Sequence, residues 1–183
     1  VPAGVLNVVH GGKEVVDRLC THPHIKAISF VGSTAVCTHV YNLAGQHGKR
    51  VQSMMGAKNH VVVMPDANKE QTLNALVGAA FGAAGQRCMA LSVAVMVGES
   101  KQWVQELVEK AKTLKVNAGH EPNTDIGPVI SQRAKARVID LINSGVEQGA
   151  ELLLDGRDVQ VKGYESGNFV GATIFNGVTT DMR

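Results

Sequence analysis

The sequence has 183 residues, enough for one good core or for parts of two domains, and its 44% hydrophobic and 19% charged residues are ordinary for a globular protein. A formal charge of +2, scattered Lys and Arg, and only 4% aromatic residues argue against a polyanion surface or a base-stacking platform, so no nucleic-acid partner is expected. No apolar stretch reaches the ~18 residues of a membrane helix, because Gln86, Arg87 and Cys88 interrupt the longest candidate, so the chain reads as soluble, with no membrane partner.

Val5 to Val9 reads as a short apolar strand closed by His10-Gly11-Gly12, and Glu14 to Cys20 as a short helix with Val15, Val16 and Leu19 on one side. Ile25 to Val31 is a second strand, followed by Gly32-Ser33-Thr34 and a helix to about Gly45. Val51 and Met54-Met55 suggest a third strand before Gly56. The pattern restarts with a buried strand at Val61 to Met64, and Asn68 with Gln71 forms a capping box for the helix through Leu73, Leu76 and Val77. The small-residue stretch Gly78 to Gly85 lets a backbone approach another element or a ligand closely. Leu91 to Val97 is a further strand, and Ser100 is expected to cap a helix carrying Trp103, Val104, Leu107, Val108 and Ala111 on one face. Ser131 opens another helix with Val138, Leu141, Ile142 and Val146, and short strands follow around Leu152 and Thr173. Strands alternating with helices imply parallel pairing through right-handed crossovers, hence an α/β architecture. The domain boundary is expected near Met55 to Lys58.

Phe30-Val31-Gly32-Ser33 is a strand end running into a helix N-terminus, where free N–H groups, the helix dipole and the Ser hydroxyl favour an anion. On spacing alone the same residues fit an ordinary N-cap better. No G-x-G-x-x-G fingerprint is present. Cys88 follows Arg87 after a Gly- and Ala-rich helix end, and a neighbouring cation favours the nucleophilic thiolate form, although a free Cys is as often a buried structural residue. Cys20 and Cys37 read as core residues on helices, and an odd number of cysteines suggests a reducing compartment. The seven His residues offer no convincing metal set, so no metal is expected. Val1-Pro2-Ala3-Gly4 reads as the middle of a turn and Asp181-Met182-Arg183 ends without a closing element. The chain is therefore expected to be an internal stretch of a longer protein, with any targeting segment outside it.

Together these residues resemble the aldehyde dehydrogenase superfamily, and within it the methylmalonate-semialdehyde dehydrogenase, or CoA-acylating, branch. The superfamily's cofactor turn F-x-G-S corresponds to Phe30-Val31-Gly32-Ser33, and its catalytic G-Q-x-C to Gly85-Gln86-Arg87-Cys88. Its later G-x-F-x-x-P-T corresponds to Gly167 through Thr173, with Ala172 in place of Pro. Branch-like signatures are Gly56-Ala57-Lys58-Asn59-His60 and Phe81 through Ala90.

The resemblance implies that residues 1–56 are the C-terminal part of a Rossmann-type NAD-binding domain and that residues 57–183 belong to an α/β catalytic domain that this stretch contains only in part. It implies NAD as cofactor, with Ser33 near its pyrophosphate and a backbone group of Met55 near its nicotinamide. Cys88 would be the nucleophile, its own N–H forming part of an oxyanion hole, and Arg87 would hold a substrate carboxylate. The superfamily places a water-activating Glu where this chain has Met54, which has no basic group, so release of the thioester to CoA as co-substrate is expected in place of hydrolysis. The branch usually has Asn there. The implied reaction converts methylmalonate or malonate semialdehyde to propionyl-CoA or acetyl-CoA with loss of carbon dioxide or bicarbonate, in valine and pyrimidine catabolism. A mitochondrial-matrix setting and a homo-oligomer of the full-length protein are implied likewise. The competing readings are a hydrolytic NAD(P)-dependent aldehyde dehydrogenase with another base, and a non-catalytic fragment; the isolated stretch is expected to be inactive alone.

Overall fold

Short apolar strands need a neighbour to hydrogen-bond with, and the chain supplies one for each strand it forms. The computed structural model describes residues 1–183, which separate into two units, Val1–Ala57 and Lys58–Arg183.

In the first unit, α1 (Lys13–Thr21), β1 (Ala27–Val31), α2 (Thr34–Gln46) and β2 (Arg50–Met54) alternate, and β1 and β2 pair in parallel. Both strands bury every second residue, which turns Ile28 and Phe30 of β1, with Val51 of β2, toward a core of Cys20, Val40 and Ala44. Helix α1 reaches that core through Val16 and Cys20, four residues apart on one face, while Leu19 is turned out. Of the face expected from Val15, Val16 and Leu19, Val16 packs against this core together with Cys20, with α2 over them, and Leu19 stays exposed at the edge of that face. Asp17 ties α1 to α2 through His39 Nε2 at 2.6 Å and also accepts from Lys13. The bond from Lys13, and after it that from His39, holds the Asp17 carboxyl below the usual carboxylate range. The buried Lys49 reaches the turn between α1 and β1, donating to the His22 carbonyl and to the Ile25 carbonyl at 2.6 Å.

The strand expected at Val5 to Val9 does not form. The segment is irregular, it pairs with neither β1 nor β2, and Val5, Leu6, Val8 and Val9 are all exposed. Within β2, Ser53 stands opposite Phe30 in the ladder with its Oγ buried and unpartnered. A buried hydroxyl without a hydrogen bond costs about 1–3 kcal/mol, so Ser53→Ala is expected to raise stability by about 1 kcal/mol, read as a higher denaturant midpoint at unchanged slope. A lower midpoint would mean that the hydroxyl is satisfied.

The second unit begins with β3 (Asn59–Val63), crosses through α3 (Lys69–Phe81) and returns to β4 (Leu91–Met96) parallel to β3, the expected strand–helix–strand unit. Asn68 Oδ1 accepts the Gln71 N–H at 3.0 Å, so α3 starts where the sequence places it. Val63, Leu73 and Leu76 form the core beneath, flanked by Val61, Leu91, Met96, Trp103 and Leu107. Full burial of a side chain such as Leu73 contributes about 1.5–3 kcal/mol.

Ser100 is not the cap of the following helix. A short 3₁₀ turn over Gly98–Trp103 precedes α4 (Val104–Lys112), and Ser100 lies buried inside that turn. Its Oγ donates to the carbonyls of Val63 at 3.0 Å and Val97 at 2.8 Å, so it ties the ends of β3 and β4 together. Ser131 does cap α5 (Gln132–Glu147), accepting from Ala134 N at 3.1 Å. Ile142 is buried on α5 whereas Leu141 and Val146 face outward. The strands β5 (Glu151–Leu154) and β6 (Ile174–Asn176) pair antiparallel. Two further cores form around Ala111, Ile126 and Ala172, and around Ala118, Val161 and Phe169. No helix is long and apolar enough to cross a membrane.

Candidate active site

Helix α3 delivers the G-Q-R-C run. It stops at Phe81, and the chain then passes through three consecutive left-handed residues, Ala83 and Ala84 at φ 53° and Gly85 at φ 71°. A left-handed residue with a Cβ costs roughly 1–2 kcal/mol, and such strain persists only where the surroundings impose it. Here Phe81 and Ala84 are packed against the Ala111, Ile126 and Ala172 core, so the turn is held from its inner side. The strained turn lifts Gln86 through Met89 to the surface of the unit.

Cys88 is the exposed cysteine of three free thiols. Its amide N–H makes no internal hydrogen bond and is available to an oxyanion. The other two are unsuited to attack. Cys20 is 1% exposed, and burial, with a smaller contribution from Asp17, pushes its thiol up and keeps it protonated at neutral pH. Cys37 is fully buried, with its Sγ donating to the Met54 carbonyl at 3.1 Å and lying 3.5 Å from that of Gly32.

Arg87 is surface-exposed and enters none of the unit's ion pairs. Its guanidinium folds back over Gly82, where an added Cβ would stand only 2.1 Å from Nη2. Glycine at position 82 therefore makes room for the cation, a role that sequence reading did not assign. The loop is tied at two further points. Asn59 Nδ2 donates to the Cys88 carbonyl at 2.9 Å and to the Ala90 carbonyl at 2.8 Å. Gln86 Oε1 accepts the Ile130 N–H at 3.0 Å, and the neighbouring Val129 N–H goes to the Asn168 carbonyl at 2.8 Å. The two family-like motifs around Cys88 and Phe169 are thus joined through one short segment. Both Asn59 and Gln86 lie inside motifs already singled out in the sequence, which was the available signal.

In the first unit, Ser33 occupies the N-cap position of α2 but its hydroxyl makes no cap bond and is exposed. The first turn of this 13-residue helix carries no acidic residue, and the N–H groups of Thr34, Ala35 and Val36 have no partner within the helix. Free donors without a competing carboxylate fit an anion such as a pyrophosphate. Gly32 N donates to the Met54 carbonyl at 3.2 Å, which joins the ends of β1 and β2 and brings Ser33 and Met55 to one junction. Met55 is half-exposed and its backbone makes no hydrogen bond within the unit. No group of three or more His, Cys, Asp or Glu side chains is arranged to hold a metal.

The aldehyde dehydrogenase family profile matches residues 1–183. The chain belongs to the aldehyde dehydrogenase family. It is 62% identical over 181 residues to the mitochondrial acylating methylmalonate-semialdehyde/malonate-semialdehyde dehydrogenase of Homo sapiens, covering 99% of this chain and 34% of that protein. The same values hold for the protein of that name from Bos taurus. The chain therefore spans about a third of the length of these relatives. A solved structure described as a methylmalonate-semialdehyde dehydrogenase from Sinorhizobium meliloti 1021, in complex with NAD, superposes with a TM-score of 0.95 at 49% identity. That match covers 100% of this chain and 38% of the other. The methylmalonate-semialdehyde dehydrogenase of Oceanimonas doudoroffii gives a TM-score of 0.94 at 46% identity, again over 100% of this chain and 38% of the other. The α/β fold class and the family read from the motifs are both borne out.

Proposed function

We propose that this chain carries the nucleophile and part of the cofactor site of an NAD-dependent, CoA-acylating dehydrogenase for methylmalonate or malonate semialdehyde. The observation that carries the reading is an exposed Cys88 with a free amide N–H, beside an Arg87 that has no internal counter-ion. Residues 1–56 contribute the C-terminal part of the NAD-binding domain and residues 57–183 part of the catalytic domain. The anion-ready N-terminus of α2 at Ser33 would hold the pyrophosphate, and the unpaired backbone of Met55 would be offered to the nicotinamide.

The Cys88 thiolate attacks the aldehyde carbon, a C–S bond forms, and the resulting oxyanion accepts from the Cys88 N–H. The planar Arg87 guanidinium pairs with the substrate carboxylate and orients the carbonyl. NAD supplies the hydride acceptor, and re-formation of the C=O bond leaves a thioester on Cys88. The C–C bond to the substrate carboxylate breaks with release of carbon dioxide (bicarbonate after hydration). Its electron pair passes into the thioester carbonyl as an enolate, which takes up a proton from solvent. The CoA thiolate then attacks the thioester carbon as the Cys88 thiolate leaves. Met54 cannot activate water in competition with CoA. The mitochondrial names of the relatives support a mitochondrial setting, and the printed word acylating supports CoA as the acceptor. The matrix, valine and pyrimidine catabolism and a homo-oligomer of the full-length protein are what the family resemblance implies.

Steady NADH formation by the full-length protein is expected to require CoA, with a single turnover at most in its absence. Sustained turnover in buffer without CoA would overturn the acylating reading in favour of hydrolysis.

A further inference from the structure

We propose that Asn59 is a positioning residue for the Cys88 nucleophile, holding the peptide plane that follows it through two side-chain hydrogen bonds; this rests on the reading of Cys88 as the nucleophile. The Asn59 amide has two N–H donors, and both are used on one five-residue loop: one on the Cys88 carbonyl at 2.9 Å, the other on the Ala90 carbonyl at 2.8 Å. Both partners are carbonyl oxygens, which only the NH₂ end of the amide can serve, so the partners themselves set the orientation of the side chain.

The aim of Asn59 is built into the sheet. Asn59 pairs with Leu91 but the next residue, His60, pairs with Val93, so one residue of β4 is skipped. Such a bulge bends the strand and re-aims a side chain, and here it sits at the residue that reaches across 29 positions to Cys88. At the other end of the loop, Gln86 is held by the Ile130 N–H, and the Ala90 N–H closes a turn onto the Arg87 carbonyl at 3.1 Å. The left-handed run Ala83-Ala84-Gly85 stores strain directly ahead of this loop. A loop fed by strained backbone keeps one geometry only if its far end is pinned. Fixing the Cys88 carbonyl fixes the rotation about the Cα–C bond of Cys88, and so the angle between its sulfur and its neighbours. The amide N–H on the other side of the same residue stays free for the oxyanion. Asn59 touches no reacting atom; it acts through the backbone of Cys88.

The test is a stopped-flow single turnover of NADH formation without CoA, in the full-length protein, comparing Asn59→Leu with the parent and with Cys88→Ser. Leucine keeps the shape of asparagine and removes both donors. A misplaced reacting group loses on the order of 10²-fold in rate, so Asn59→Leu is expected to slow the NADH burst about 10²-fold. NAD affinity and half-saturation by semialdehyde, which depend on other residues, are expected to stay within about twofold of the parent. A merely structural role would lower both together with the fold. A parental burst rate in a folded Asn59→Leu protein overturns the proposal while leaving the nucleophile reading intact. A burst that survives in Cys88→Ser overturns the nucleophile reading itself. Omitting CoA makes the outcome independent of the acyl acceptor. Should Asn59→Leu fail to fold, Asn59→Ala adds no bulk and carries the same expectation, and a parental burst there overturns the proposal equally.

Discussion

Replacing Cys88 by Ser in the full-length protein is expected to reduce NADH formation from a semialdehyde by at least about 10⁴-fold, with the fold unchanged. The size follows from the chemistry of the group. A serine hydroxyl is essentially never ionised near neutral pH and has no partner base in this loop, whereas a thiol supplies thiolate and a good leaving group for the later acyl transfer. The fold should tolerate the change because the Cys88 side chain is exposed and makes no internal bond, its loop being held by Asn59 and Gln86 through other atoms. Iodoacetamide gives an independent reading. One thiol should react rapidly in the native protein and that reaction should vanish in Cys88→Ser. Cys20 and Cys37 are buried, so they should react only on unfolding. Residual activity within about tenfold of the parent, or rapid labelling that persists, would move the nucleophile elsewhere.

The second large effect concerns Arg87. Arg87→Leu is expected to cost about 10²–10³-fold in kcat/KM for a semialdehyde that carries a carboxylate, and little for an uncharged aldehyde of similar size. An exposed ion pair between protein groups would be worth far less. A substrate carboxylate drawn against a bidentate guanidinium loses water, however, and without its partner stays uncompensated. The geometry adds a finer variant. Gly82 sits at φ −55° and ψ 136°, a conformation any residue adopts, so Gly82→Ala should leave stability nearly unchanged. The new Cβ would nevertheless stand 2.1 Å from Nη2 of Arg87 and must displace the guanidinium. About a tenfold loss in kcat/KM confined to the carboxylate-bearing substrate is the expected signature. Equal losses for charged and uncharged aldehydes would show that Arg87 does not select the carboxylate.

Much of this was legible in the residues because it is local. A helix start is decided within one turn, and Asn68 and Ser131 each cap their helix by accepting an N–H three residues on, although the Gln71 side chain does not return the second bond of the capping box. The parallel pairing of β3 with β4 follows from a helix between two short apolar runs. The family was legible for a different reason: several motifs in order along one chain are far more specific than any one of them, and the profile match over residues 1–183 agrees.

The readings that needed correction concern groups whose partner lies far along the chain. Ser100 carries the residue type of a helix cap, yet its hydroxyl is drawn into the interior by the Val63 carbonyl, 37 positions away. Leu19 belongs to an apolar helix face, but it stays exposed at the edge of that face while α2 packs on Val16 and Cys20. Val5 to Val9 has the composition of a strand, yet it pairs with neither β1 nor β2.

The same division runs through the site around Cys88. Sequence alone determined that Cys88 follows Arg87 in a Gly- and Ala-rich run and that Ser33 opens a helix, because each is a matter of residue type and order. The family resemblance of its motifs implies that Met54 stands where the family keeps a base. Only the tertiary structure decided that Cys88 is the exposed thiol, that Arg87 lies over Gly82, and that a bulge at Asn59 ties the loop by its carbonyls. Those facts depend on which atoms meet across 29 or more positions, or on how a strained turn is packed from beneath, and no local propensity encodes either.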